Sequence, residues 1–300
     1  MLPAQATRNK RSRLSIETQQ AISGYLFLIP WLVGLGLFVL FPLGFSLYMS
    51  FQKVRFTGDG MKFEYKGWEN YSYAFLSDNT FVTALINIVK NTMLVIPIIV
   101  LFSLFVAILL NMKFRGRMSF RAIFFLPVIF STGQVLSEIF NQKAGSLDML
   151  NNYDIAGFVS ANVPTFWADP ILTVLNLFVV ILWYSGVQIL IYLAGLQTIG
   201  SSVYEASLID GATAWEMFWK ITLPALTPFI LLNVIYTVVD MFTVPLLNPV
   251  LNMIVTNMSA PNLGYGYASA QGWIYFSVVF ALLLVVLGLS RRFVHYSGER

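Results

Sequence analysis

Asn233, Tyr236, Thr237 and Asp240 fall at i, i+3, i+4 and i+7, which lines an amide, a phenol, a hydroxyl and a carboxylate along one helical face. Three other sets follow the same rule: Ser131, Gln134 and Glu138; Ser185, Gln188 and Tyr192; Asn87, Lys90 and Asn91. All four sets sit inside strongly apolar runs, where a charge at the bilayer centre costs about 2.5–3.5 kcal/mol even on insertion scales. Such groups donate to and accept from hydroxyls. The faces therefore read as the lining of a route for a hydroxyl-rich solute, with Gln134, Gln188, Asn233, Thr237 and Asp240 as polar contacts. Trp183, Tyr192 and Tyr236 would offer platforms to the apolar faces of such a solute. The competing reading is that these residues bond neighbouring helices together, each bond contributing about 0.6–2 kcal/mol.

Lys90 and Asp240 carry a sharper expectation. Lys90 lies nine residues from the outer start of its run and Asp240 seven from the outer end of its own. At the helical rise these are depths of ~13 Å and ~10 Å, so the two are expected to meet as an intramembrane ion pair. Other chemistries lack their residues. There are no cysteines, and the only histidine, His295, lies in the C-terminal tail. No Gly-x-x-x-x-Gly-Lys-Ser/Thr, HExxH or GxSxG occurs, so neither a phosphate cradle nor a hydrolytic or metal site is encoded in the usual form. No basic patch interleaves with aromatics, which argues against nucleic acid.

The elements that must position these faces follow from composition. The chain is 57% hydrophobic and 11% charged, with a mean hydropathy of +0.73, which describes a polytopic membrane protein. Six apolar spans are expected, at about Ala21–Phe51, Phe81–Leu110, Ala122–Phe140, Ile171–Gly195, Pro224–Leu247 and Tyr267–Leu289. The first is too long for a signal-peptide core and lacks a cleavage site. Arg8, Lys10, Arg11 and Arg13 precede it, Lys113, Arg115, Arg117 and Arg121 crowd the second connection, and Arg291 and Arg292 follow the last span. The positive-inside rule then puts both termini in the cytosol. The first outer loop, with Lys53, Arg55, Lys62 and Lys66, runs against that rule, and its acids Asp59, Glu64, Glu69 and Asp78 are available to neutralise it. The domain reading is a cytosolic tail over 1–20, one membrane domain over 21–295 and a short tail over 296–300.

Between the fourth and fifth spans lies Val203 to Pro228, a charged segment with its own helix signals. Ser202 with Glu205, and Thr213 with Glu216, have capping-box spacing. Asp210-Gly211 reads as a helix stop, because glycine takes the left-handed conformation at little cost. Two short helices joined at a glycine elbow, about residues 202–220, are expected on the cytosolic side.

Glu205-Ala206, Asp210-Gly211-Ala212, Phe218, Ile221 and Leu223-Pro224 resemble the EAA loop of membrane subunits of binding-protein-dependent ABC importers. Ser207 departs from the second alanine usual there, and Gly200 from a common proline. Leu109-Leu110-Asn111, Gly116, Arg121 and Leu126-Pro127, and Gly266 to Ala270, are similar to sugar permeases of the maltose and glycerol-phosphate type. The Gly-Gly-Pro turn usual after the fifth span is absent, with Asn248-Pro249 roughly in its place.

The resemblance implies an all-α permease with six transmembrane helices and cytosolic coupling helices, in a bacterial or archaeal cytoplasmic membrane. It implies import of a carbohydrate, an oligosaccharide foremost, delivered by an extracytoplasmic solute-binding protein. The implied partners are a second permease in a heterodimer, two ATPase subunits and membrane lipid. No cofactor is implied in this chain; ATP and Mg belong to the ATPases. Glu205, Ala206, Leu208, Asp210, Gly211, Ala212 and Phe218 would couple to the ATPase, with Leu208 and Phe218 as apolar anchors. An ion-coupled secondary transporter and an intramembrane lipid-linked glycosyltransferase are the alternatives, the first using Lys90, Asp240 and Glu138 as ion sites.

Overall fold

A computed structural model of the chain describes residues 15–57, 60–129, 155–176, 178–244, 248–260 and 263–291. The first rod consists of α1 (Ile16–Leu35), a wide π turn (Gly36–Leu40) and α2 (Phe41–Ser50). A hairpin follows, β1 (Gln52–Thr57) against β2 (Gly60–Tyr65), antiparallel with Gln52 opposite Tyr65 and Val54 opposite Phe63. Next come α3 (Glu69–Leu76), α4 (Asn79–Asn111), α5 (Arg117–Ile129), α6 (Ile155–Asn162), α7 (Thr165–Asn176) and α8 (Phe178–Thr198). Then α9 (Ser201–Ile209), α10 (Ala214–Met217), a second π turn (Phe218–Thr222) and α11 (Leu223–Ala225) lead into α12 (Thr227–Thr243). The last elements are α13 (Pro249–Met258) and α14 (Gly264–Ser290).

The fold is all-α and polytopic, apart from that hairpin. Ile22–Ser50, α4, Ile181–Thr198 and α14 are each long and apolar enough to cross a membrane. Ala214–Ala225 and α12 pass the same test together as a pair bent by 61°. The expected third span is described only as far as Ile129. The expected fourth span is described as α7, which carries Asp169 and Pro170, and α8, on either side of residue 177, which lies outside the described residues; within α8, Ile181–Thr198 is the stretch that passes the membrane test.

Three apolar clusters hold the bundle, the middle one formed by Val95 and Ile99 of α4 with Ile181 and Tyr184 of α8. At the hairpin end, Phe81 and Leu85 of α4 meet Phe242 of α12, Val250 of α13 and Tyr267 and Ile274 of α14. At the elbow end, Leu104, Ala107 and Leu110 of α4 meet Ile189, Tyr192 and Leu196 of α8, with Leu226. Arg121 of α5 donates to the Leu110 carbonyl at 3.0 Å and so closes the end of α4.

The outer loop of the sequence reading is an ordered platform. Gln52 and Val54 are buried while Arg55 is exposed, the alternation of a half-buried strand. Asn70 of α3 donates to the carbonyls of Ser50 and Gln52 at 2.8 and 3.0 Å. Lys66 pairs with Glu64 at 3.2 Å and Glu69 at 3.7 Å, so acids do offset part of this loop's positive charge. After α12, Asn248 caps α13 by accepting from the amides of Val250 and Leu251, and donates to the Phe242 carbonyl and the Tyr275 hydroxyl. The Asn248-Pro249 corner is thus a helix start.

Asp78 caps α4, accepting from the Phe81 amide at 3.0 Å, the Thr80 hydroxyl at 2.5 Å and the Tyr267 hydroxyl at 2.6 Å. Partial burial pushes its carboxyl up, but the bonds from Thr80, Tyr267 and the Phe81 amide outweigh this and hold it below the ordinary 3.8. A lowered folded value means the stabilisation is present above the unfolded value and is lost as pH falls through the folded one. Tyr267→Phe should therefore lower the stability of the assembled transporter by about 1–2 kcal/mol at neutral pH. Thermal unfolding should show that deficit shrinking below about pH 4.

Candidate functional site

The elbow is built by local hydrogen bonding. At the end of α9 the Ala212 amide donates to the Ser207 carbonyl at 2.9 Å and the Gly211 amide to Leu208 at 3.1 Å. This pair is the Schellman closure, and it needs the left-handed residue that Gly211 supplies at φ 80°. Thr213 then starts α10 with a complete capping box: its hydroxyl accepts from the Glu216 amide, and Glu216 accepts from the Thr213 amide at 3.0 Å. Lys220 pairs with Glu216 one turn on, at 3.3 Å. The other expected box is not formed. Helix α9 begins at Ser201 behind Gly200, so Ser202 is already inside the helix and caps nothing.

The two legs are joined a second time, by the Tyr204 and Thr222 hydroxyls at 2.9 Å. Glu205, Ala206, Asp210 and Gly211 are exposed around the turn, and Ala212 is half-buried. Leu208 is 60% exposed, whereas Phe218 is half-buried beside Trp215 and Trp219. The apolar tip is therefore Leu208 with Ile209, the latter 86% exposed. Ile209, Trp215, Trp219 and the Tyr204–Thr222 tie are not identified by the sequence reading. Two tryptophans four residues apart in a charged loop were the signal that could have marked one of those faces.

Within the bundle the structure brings Gln188, Tyr192, Asn233 and Thr237 together between α8 and α12, all fully buried. Gln188 Nε2 donates to Thr237 Oγ1 at 3.0 Å, Thr237 Oγ1 to the Asn233 carbonyl at 2.7 Å, and Asn233 Nδ2 to the Gln188 carbonyl at 3.3 Å. In this chain the three residues bond helix to helix. The network leaves Gln188 Oε1, Asn233 Oδ1 and the hydroxyls of Tyr184 and Tyr192 without a hydrogen bond among the described residues. Trp183 and Asp240 are half-buried and Tyr236 is exposed; Tyr236 and Asp240 flank Thr237 on α12, whereas Trp183 is about 140° of rotation from Gln188 on α8. Gln134 lies outside the described residues, as do Ser131 and Glu138.

The Lys90–Asp240 pair is not formed: among the described residues no ion pair joins them within 4.0 Å. The reason is azimuth. Ile88 and Thr92 are on the buried stripe of α4, and two residues along a helix is about 200° of rotation, which leaves Lys90 exposed on the opposite side.

Residues 72–297 match the family described as binding-protein-dependent transport system inner membrane component. A probable ABC transporter permease protein, YesP of Bacillus subtilis (strain 168), is 29% identical over 294 residues, covering 93% of each chain. The lactose transport system permease protein LacF of Rhizobium radiobacter is 33% identical, covering 75% of this chain and 74% of its own. Among solved structures, a chain of a bacterial ABC transporter involved in import of the acidic polysaccharide alginate has the same fold. Its TM-score is 0.65 at 20% identity, over 93% of this chain and 98% of that one.

Proposed function

The chain belongs to the family of binding-protein-dependent transport system inner membrane components, and on that premise we propose that it forms the carbohydrate path of an ATP-driven importer. It is an integral membrane permease subunit and not itself an enzyme. The cargo is an oligosaccharide, handed over by a solute-binding protein at the hairpin end, and both termini lie in the cytosol with the elbow. Relatives and neighbours named for lactose and alginate support the substrate class. Two ATPase subunits bind and hydrolyse ATP with Mg; Glu205 and the Leu208–Ile209 tip enter a groove of one of them. A second permease completes the path. In support of this, no residue in the apolar core of the first rod is buried by its own chain.

Solute would pass along the α12 edge of the network, where Tyr236 and Asp240 remain accessible and the unpaired Gln188 and Asn233 oxygens stand behind them, with Trp183 on the other face of α8. The network itself fixes the two helices that carry that rim. Buried acceptors without partners are costly, so a hydroxyl-bearing solute or water reaching them is favoured.

The observation that carries this reading is the elbow with its exposed apolar tip. The chain contains no cysteine, so Ile209→Cys gives one reactive site. In the assembled transporter it should crosslink to a cysteine in the ATPase groove, with a yield that changes on ATP binding. Uptake into proteoliposomes should need the binding protein and ATP, and a panel of neutral and acidic oligosaccharides would fix the cargo. No crosslink at any nucleotide state would overturn the docking, and uptake without ATP would favour a secondary carrier.

A further inference from the structure

The second leg of the elbow has an apolar face that the first leg does not share. Trp215 and Trp219 lie four residues apart, edge to face at 5.5 Å, and are 70% and 49% exposed. Phe218 stacks edge-on against Trp219 at 5.2 Å and extends the face inward. Lys220, its ammonium held by Glu216, stands alongside with most of its side chain exposed.

The depth of this face is fixed by its neighbours. A hollow of about 460 Å³ opens between Leu223, Thr227 and Ile230 on one side and Val286 and Leu289 on the other. It sets the start of α12 level with the last turn of α14, where the apolar run ends at Arg291. Trp219 is one turn before Leu223, about 6 Å at the helical rise. The 61° bend tips the leg away from the axis of α12, so Trp215 lies beside Trp219 more than below it. Indole prefers the headgroup level, where its ring is in hydrocarbon and its N–H reaches water.

We propose that Trp215 and Trp219 seat the second leg in the headgroup–acyl boundary of the inner leaflet, with a phospholipid acyl chain filling the hollow beside Leu223 and Leu289. The ATPase then holds only the first leg, and lipid holds the second. The lipid is favoured over the ATPase as occupant because Trp215 and Trp219 are followed at the same four-residue step by Leu223 and Thr227, which line the hollow along the spans. The inference rests on the elbow being cytosolic, as proposed above.

Tryptophan emission of the whole transporter, ATPases included, tests it in nanodiscs made with phosphatidylcholine brominated near the top of the acyl chains. Bromine quenching should lose the share contributed by two of this chain's seven tryptophans in Trp215→Phe/Trp219→Phe, and part of that share in Trp215→Phe alone. Quenching as strong in the double variant as in the parent would overturn the lipid seat and leave the ATPase as the cover. The Ile209→Cys crosslink is read separately, so failure of the docking and failure of the lipid seat give different results.

Discussion

Replacing Gly266 by alanine should strip the folded transporter from the membrane, while the same change at Gly272, six residues along the same helix, should leave it intact. A Cβ at Gly266 would overlap the Gln52 carbonyl oxygen and lie 3.2 Å from the Met49 carbonyl oxygen. Both obstacles are backbone, so no side chain can rotate away. The Gln52 carbonyl is also fixed by Asn70, so the strand cannot retreat without giving up that bond. Helix α14 would instead be forced off β1, taking Tyr267 away from Asp78 and opening the cluster around Phe81. Overpacking of this kind costs about 1–3 kcal/mol where side chains can yield, and more where they cannot. A Cβ at Gly272 meets nothing within 4 Å. The measurement is the amount of assembled complex in membranes and its unfolding temperature in detergent; equal behaviour of the two variants would refute the close packing.

Gly211→Val should leave the chain inserted and assembled but reduce uptake sharply while ATP hydrolysis continues. At φ 80° an L residue costs about 1–2 kcal/mol, and a β-branched one more. An added Cβ there meets nothing within 4 Å, so the strain is entirely in the backbone and packing cannot absorb it. The chain relieves it by opening the Ala212–Ser207 and Gly211–Leu208 bonds, which turns the Leu208–Ile209 tip. An energy of that size is roughly a factor of 5–30 in the population of the docked geometry, and uptake should fall by a similar factor. Gly211→Asn, which tolerates the left-handed region, should retain most transport. Uptake and hydrolysis measured side by side on both variants decide it: equal losses in valine and asparagine would mean the bend is not what matters.

The elbow was legible because its signals are local. Gly211 and the Thr213–Glu216 pair each specify a conformation within four residues. Ser202–Glu205 has the same spacing, but a helix that starts two residues earlier, behind Gly200, puts the serine inside its first turn and not at its cap. Period puts Gln188 and Asn233 each on a polar stripe of its own helix, and the cost of turning such stripes to lipid is the reason to expect them to meet. What they bond to depends on how far apart two helices settle, and no single stretch encodes that. Lys90 and Asp240 were matched in depth, and period gave each a face on its own helix but not which way that face turns in the bundle; the face of Lys90 turns outward. The hairpin is obscured by its charges: Lys53, Arg55 and Lys62 read as loop, although Gln52 and Val54 alternate with them at the strand period. Its partner is the glycine pair at the head of α14, more than 200 residues away in the chain.

The tie between Tyr204 and Thr222 changes what kind of machine the elbow can be. Two struts that meet at Gly211 and are pinned again at 2.9 Å further along form a closed triangle, and a triangle does not fold. Pressure on its tip cannot be absorbed at the glycine. It turns the whole piece about the next break in the backbone, at Leu226, which is completely buried against the ends of α4 and α8. The unit is then a bell-crank with its bearing set inside the bundle: a sideways displacement below the bilayer arrives in α12 as torque.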